Sequence, residues 1–127
     1  MKSKPVILLV DDELSIRKVI GKRLAQFGFS VLAAASGEEG LQLAAAHHPD
    51  LILLDIMMPN MKGRDVCARL KADPATNAIP VIFLTALGLA DHIKGGMDLG
   101  ADDYIIKPFD PDKLRERIMV CLARHQR

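Results

Sequence analysis

The sequence has only two cysteines, Cys67 and Cys121, and they lie in helix-like segments without CxxC spacing. That excludes a disulfide scaffold and reads as reduced, packed thiols. Long hydrophobic runs are missing too: the longest, residues 6–10, 51–54 and 81–84, fall far short of the ~20 residues a membrane-spanning helix needs. No secretory leader is expected, since Met1-Lys2-Ser3-Lys4 is followed by only a short apolar stretch before Asp11. Nor does one sign of charge dominate. Seventeen Lys and Arg face 16 Asp and Glu, a net +1, which argues against a chain whose main task is coating nucleic acid or an anionic membrane. What remains is 127 residues, 50% hydrophobic and 26% charged, enough for one domain and too apolar for disorder. A single-domain cytoplasmic protein is the expectation.

Two periodicities alternate along the chain. Short apolar runs at residues 6–10, 31–35, 51–54, 81–84 and 104–106 read as strands, with stretches of helical apolar spacing between them. In the first such stretch Ile16, Val19, Ile20, Leu24 and Phe27 form one stripe, while Arg17, Lys18, Lys22 and Arg23 fall elsewhere. The others run about 37–47 (Leu41 and Ala44 inward), 63–73 (Val66, Cys67, Leu70), 90–99, and 111–124 (Leu114, Ile118, Cys121, Leu122). The 90–99 stretch is the weakest, because Gly95 and Gly96 each cost ~1 kcal/mol against alanine in a helix. Strand and helix in strict alternation predict an α/β domain with a doubly wound parallel sheet, for which the flavodoxin-like and Rossmann orders are both open. Runs 6–10, 51–54 and 81–84 are apolar at every position, as strands covered on both faces are, whereas 31–35 is mainly small residues and suits an edge.

Ligands of open α/β sheets bind beyond the carboxyl ends of the strands, so the residues just past each run are the candidates for chemistry. Asp11-Asp12-Glu13 come after the first, Ser36-Gly37 after the second, Asp55 after the third, Thr85 after the fourth and Lys107-Pro108 after the fifth. In strand order 2-1-3-4-5 the first and third strands are neighbours, so Asp11, Asp12 and Asp55 converge, with Thr85 to one side and Lys107 beyond it. These three carboxylates and one ammonium sum to −2, and a divalent hard cation brings the sum to zero. Oxygen ligands with open water positions suit Mg²⁺. No histidine or cysteine joins the group, which makes zinc a poor candidate there.

Taken singly, each residue has an ordinary explanation. Asp11 or Asp12 reads as a helix N-cap, Asp55 as the start of a turn, Thr85 as a strand or cap residue, and Lys107 as a solvated lysine. Together those explanations would require independent coincidences at one end of one sheet.

The stretches VILLVDDE (6–13), PDLILLDIMMPNMKG (49–63), PVIFLTA (80–86) and GADDYIIKPF (100–109) resemble, in order and spacing, the receiver domain of bacterial two-component response regulators, the CheY-like family. The resemblance covers residues 4–123 and leaves 124–127 as a C-terminal tail. It implies a flavodoxin-like (βα)5 fold with a five-stranded parallel sheet of order 2-1-3-4-5. It implies that Asp55 accepts a phosphoryl group from the phosphohistidine of a histidine kinase or histidine phosphotransfer protein. Asp11, Asp12, Asp55 and the backbone carbonyl of Met57 would hold Mg²⁺, with Mn²⁺ as a substitute. Lys107 would pair with Asp55 and then with the phosphoryl group, Thr85 would donate its hydroxyl to it, and Tyr104 matches the switch aromatic that turns inward when Thr85 moves.

The resemblance further implies a signalling module rather than an enzyme, with weak self-dephosphorylation at most, since Met57 and Leu87 stand where the family tunes hydrolysis and neither can orient a water. Phosphorylation would shift the surface made by the fourth helix, fifth strand and fifth helix toward an output protein or a fused output domain. No direct contact with nucleic acid or membrane is expected, and the chain would be a monomer or a weak dimer through that same surface. Asp102, Asp103, Arg117 and Arg124 resemble part of the charge set of dimerising receivers, but Ile93 and Lys113 replace its complementary pair.

A metal-dependent phosphohydrolase on a related α/β fold is the alternative. It would want an acid/base aspartate two residues past the nucleophile, where Met57 stands. A nucleotide or flavin carrier would want a Gly-rich phosphate loop after the first run, which instead continues into Asp11-Asp12-Glu13. The remaining signals are weak. His47 and His48 close a helix, and His92 and His125 have no ligand partners at useful spacing. Met57, Met58 and Met61 read as packing for the loop after Asp55, and Arg115, Arg117, Arg124 and Arg127 as a solvated basic face.

Overall fold

Runs of Val, Ile and Leu without a polar break can be buried on both faces, and three of them form the middle of one sheet. In the computed structural model, which describes residues 4–86, 100–107 and 110–125, the strands are β1 (Val6–Val10), β2 (Ser30–Ala34), β3 (Leu51–Asp55), β4 (Val81–Ala86) and β5 (Asp103–Lys107). All pair in parallel, in order β2-β1-β3-β4-β5. This is the flavodoxin-like order, and it sets the Rossmann alternative aside. Small-residue β2 lies at one edge and β5 at the other.

Between the strands lie α1 (Leu14–Gln26), α2 (Gly37–His47), α3 (Gly63–Ala72) and a last helix, Pro111–His125. Side chains alternate across a strand, so the sheet presents two apolar faces. Ile7, Leu9, Leu51, Leu53, Ile82, Leu84 and Ile105 pack with Ile20 and Leu24 of α1 and Leu114, Ile118, Cys121 and Leu122 of the last helix. Leu8, Val10, Ile52, Leu54, Val81 and Phe83 pack against Ala44 of α2 and Val66, Cys67 and Leu70 of α3. The helix expected at 90–99, with Gly95, Gly96, His92 and Ile93, lies outside the described residues, as do Leu87 and Pro108.

Two details differ from the sequence pattern. That pattern puts Val19 in the buried stripe of α1, yet it is 65% exposed. At 100° per residue it sits about a quarter-turn from the line through Ile16, Ile20, Leu24 and Phe27, beyond the sheet's reach. Second, β3, β4 and β5 run on to include Asp55, Thr85 and Lys107. Apolar runs report side chains, whereas the ladder is made by backbone groups and does not stop at the first polar residue. The Ser36-Gly37 turn behaves as expected: Ser36 Oγ caps α2 by accepting from the Glu39 N–H at 3.1 Å.

Candidate functional site

Register explains why the polar residues meet. Val10 pairs with Leu54, so Asp11 and Asp55 come next on adjacent strands. Asp55 pairs with Leu84, Thr85 with Ile106, and Ala86 with Lys107. Period-two alternation then sorts them by face. Asp11, Asp55 and Lys107 continue the series of Leu9, Leu53 and Ile105, which faces α1 and the last helix. Thr85 continues the series of Val81 and Phe83 on the opposite face, where Tyr104 also packs. Thr85 is 1% exposed.

The carboxylates of Asp11, Asp12 and Asp55 lie within 4.8 Å of one another. Asp11 is fully buried and Asp55 nearly so, while Asp12 is exposed. Backbone N–H groups orient the two buried ones. Glu13 N–H donates to Asp11 Oδ1 at 2.9 Å, and Met57 N–H donates to Asp55 Oδ1 at 3.1 Å. Lys107 spans both remaining oxygens: its Nζ is 3.1 Å from Asp11 Oδ2 and 3.6 Å from Asp55 Oδ2. Lys107 thus forms an ion pair with Asp55 and gives its hydrogen bond to Asp11.

Electrostatics make this cup acidic and strained. Burial pushes the Asp55 carboxyl up to about 6; Lys107 and the Met57 N–H work against that rise, and Asp11 and Asp12 add to it. Burial works against the charge on Lys107, but the Asp55 and Asp11 carboxylates outweigh it and hold the ammonium above its ordinary value. For Asp55 the sign is clear. A carboxyl raised in the folded state binds an extra proton there, so stability of the metal-free protein declines as pH climbs from about 4 to about 6 and stays lowered above that. Asp55→Asn removes the decline. The metal-free variant is expected to be more stable than wild type at neutral pH, by about 3 kcal/mol, with the gain absent near pH 4. Urea unfolding in a chelator at the two pH values reads it, and equal stability at neutral pH would contradict it.

The donor set fits a hard dication: oxygen ligands only, three carboxylates, and one ammonium leaving −2 to be neutralised. Met57, expected to add its carbonyl, directly follows the loop start and keeps a half-exposed side chain; Met58 is buried and Met61 half-buried.

Two further residues support the site. Arg17 donates to the Asp11 carbonyl at 2.7 Å, and only the tertiary path of α1 reveals it. Gly63 opens α3 against the end of β3: a Cβ there would collide with the Asp55 carbonyl oxygen and come within 2.7 Å of Ile56 Cα. Its N–H donates to the Ile56 carbonyl at 2.9 Å, which pins the loop that carries Met57. The signal for Gly63 was there, at the end of the PDLILLDIMMPNMKG stretch.

The charge set at β5 resolves into a pair within the chain. Arg117 grips Asp103 with two hydrogen bonds, at 2.7 and 2.8 Å, and donates to the Tyr104 carbonyl at 3.2 Å. Burial would raise the Asp103 carboxyl, but the Arg117 and Tyr104 N–H bonds hold it below its ordinary value. Its contribution is therefore present at neutral pH and fades as pH falls through the lowered value. Arg117→Ala is expected to cost about 0.5 kcal/mol at neutral pH, as exposed pairs do, and nothing in acid where Asp103 is protonated. Chemical denaturation at both pH values checks it.

Residues 7–119 match the sequence profile of the response regulator receiver domain. The chain is 48% identical over 123 residues to the "Probable transcriptional regulator ycf27" of Cyanophora paradoxa, covering 96% of this chain and 50% of that protein. It is 42% identical over 123 residues to the "DNA-binding dual master transcriptional regulator RpaA" of Synechocystis sp., covering 97% and 51%. The chain thus spans about half the length of the curated relatives it matches. Among solved structures it resembles a CheY-like response regulator receiver domain protein from Methanospirillum hungatei, with TM-score 0.89, 31% identity and 97% of each chain covered. It also resembles the chemotaxis protein CheY4 of Vibrio cholerae, with TM-score 0.88, 28% identity, and 94% and 99% covered.

Proposed function

This chain belongs to the response regulator receiver domain family of two-component signalling, and on that footing we propose that Asp55 is its phosphoryl acceptor. The comparisons lend no support to the phosphohydrolase alternative, and Met57 stands where that chemistry would want an acid. The observation that carries the proposal is the cup itself: a nearly buried carboxylate, Asp55, beside Asp11 and Asp12, with Lys107 reaching toward it from a third strand.

Asp11, Asp12 and Asp55 would hold Mg²⁺ or Mn²⁺ together with the Met57 carbonyl. When bound, the ion supplies positive charge to the phosphoryl oxygens and relieves the crowding of the carboxylates. Asp55 attacks phosphorus through a carboxylate oxygen; the new O–P bond forms as the N–P bond of a donor phosphohistidine breaks, and the electron pair leaves with the imidazole. Lys107 offers its ammonium to the transferred group, and Thr85 its hydroxyl. Little covalent help is needed, because this transfer depends mainly on positioning and charge neutralisation.

The product adds roughly −1.5 to −2 charge beside Asp11 and Asp12. Thr85 responds from β4, and Tyr104, on the same sheet face, follows as the switch aromatic. The readout is a population shift of the surface around β5 and the flanking helices, presented to an output partner or a fused output domain. The donor would be a histidine kinase or a histidine phosphotransfer protein, in the cytoplasm. Among the described residues no helix is long and apolar enough to cross a membrane.

Incubation with acetyl phosphate and Mg²⁺, followed by intact mass, tests the assignment. Wild type should gain one phosphoryl group and Asp55→Asn none; equal labelling of both would remove Asp55 from its role. With Met57 and Leu87 unable to orient a water, the aspartyl phosphate should persist for minutes or longer after the donor is removed. A lifetime of seconds would count against that part of the reading.

A further inference from the structure

A second group of ligating side chains lies at the other end of the sheet. Asp102 immediately precedes β5, and Cys121 and His125 stand four residues apart on the last helix, neighbours on one helical face. A carboxylate oxygen of Asp102, the Cys121 sulfur and a ring nitrogen of His125 lie within 4.8 Å of one another. The length of β5, five residues or roughly 16 Å, separates this group from Lys107 and the carboxylate cup.

Three features distinguish it from a chance meeting. His125 Nδ1 is 2.9 Å from the Cys121 carbonyl oxygen, which can only accept, so Nδ1 carries a proton. Nε2 then faces a second acceptor, Asp102 Oδ1, at 3.2 Å. A neutral imidazole cannot donate to both, whereas a cation held between Nε2 and Oδ1 satisfies each atom. A histidine whose other nitrogen donates to a backbone carbonyl is the usual arrangement around a metal-ligating imidazole. The Asp102 carboxylate is held in the same manner, because Val81 N–H donates to Oδ2 at 2.9 Å and leaves Oδ1 toward the imidazole. Finally, Cys121 is 2% exposed, and among the described residues its thiol makes no hydrogen bond.

We propose that Asp102 Oδ1, Cys121 Sγ and His125 Nε2 form a second metal site, for a divalent ion of the zinc class, with the remaining position open to solvent beside His125. Mixed sulfur, nitrogen and oxygen ligands suit Zn²⁺ and are foreign to Mg²⁺. Charge agrees: one carboxylate and one thiolate neutralise the dication, while the Lys71 ammonium stays 4.0 Å from Asp102 Oδ2. Among the described residues Asp103 and Arg124 also act on the Cys121 thiol, and Arg117 is paired with Asp103. Burial keeps the thiol protonated, so binding forms the metal–sulfur bond and releases that proton to solvent. The site does not depend on Asp55 chemistry.

Cobalt(II) is the probe, added in one equivalent to the full chain in excess Mg²⁺, so that the carboxylate cup is already occupied. Wild type should show thiolate-to-cobalt absorption in the near ultraviolet and tetrahedral bands in the visible, both removed by added Zn²⁺. Cys121→Ser should lose the thiolate absorption, and His125→Gln should weaken cobalt binding at least about tenfold. Cys67→Ser and Asp55→Asn should change neither. His125 is a surface residue, so His125→Gln keeps the test decisive even where Cys121→Ser does not fold, as circular dichroism will show. Absence of thiolate absorption in wild type, as expected of an imidazolium paired with Asp102, overturns the proposal. So does absorption or affinity that a folded variant of either ligand retains unchanged.

Discussion

Lys107→Ala should slow acetyl-phosphate labelling by roughly 100- to 1,000-fold at saturating Mg²⁺, the usual loss when one preorganised charge donor is removed from a transferring group. The expectation rests on where the ammonium sits. Its Nζ is 3.1 Å from Asp11 and 3.6 Å from Asp55, so it is already within reach of the oxygen that would attack. It also stays charged, because the neighbouring carboxylates outweigh the effect of its burial. Alanine leaves the Asp11, Asp12 and Asp55 carboxylates facing incoming phosphate with one positive charge fewer. Arginine keeps that charge but replaces a compact ammonium with a broad planar fork, so Lys107→Arg should recover only part of the rate. Rates are read by intact mass against time, with circular dichroism confirming the fold. Wild-type labelling by folded Lys107→Ala would remove Lys107 from the transfer.

Phe83→Ala should lower the unfolding free energy by about 3–5 kcal/mol, the range for truncating a fully buried aromatic. Among the described residues Phe83 is the largest fully buried side chain, and it lies on β4, between β3 and β5, against the α2–α3 layer. Strands on both sides keep the space from collapsing, which is the condition under which a cavity costs most. Against a typical total of 5–15 kcal/mol, the loss should move the urea midpoint far down with little change in slope. Val120, 45% exposed on the last helix, is the control, and Val120→Ala should stay within about 0.5 kcal/mol of wild type. A Phe83→Ala midpoint near that of Val120→Ala would refute the packing argument.

Much of the fold is legible in residue order alone. Uninterrupted aliphatic runs can be satisfied only in strands covered on both faces, and β1, β3 and β4 form the middle of the sheet. The small residues of 31–35 point to an edge, where β2 lies. The pattern misleads where side chains are a poor proxy for backbone or direction. Thr85 and Lys107 look like residues beyond their strands but belong to them, and Val19 looks apolar enough for a core it does not reach.

Local order along the chain determined the identity of the carboxylates at the strand ends, the alternation of strands and helices, and the family, because these are carried by residue type and spacing. Only the tertiary structure decided that Lys107 bonds Asp11 while spanning toward Asp55, that burial lifts the Asp55 carboxyl to about 6, and that His125, which spacing alone left without a partner, meets Asp102 and so makes Cys121, four residues before it, a partner as well. Each of these is a distance or a degree of burial between residues far apart in the chain, and Coulomb and desolvation energies depend on such separations rather than on sequence position.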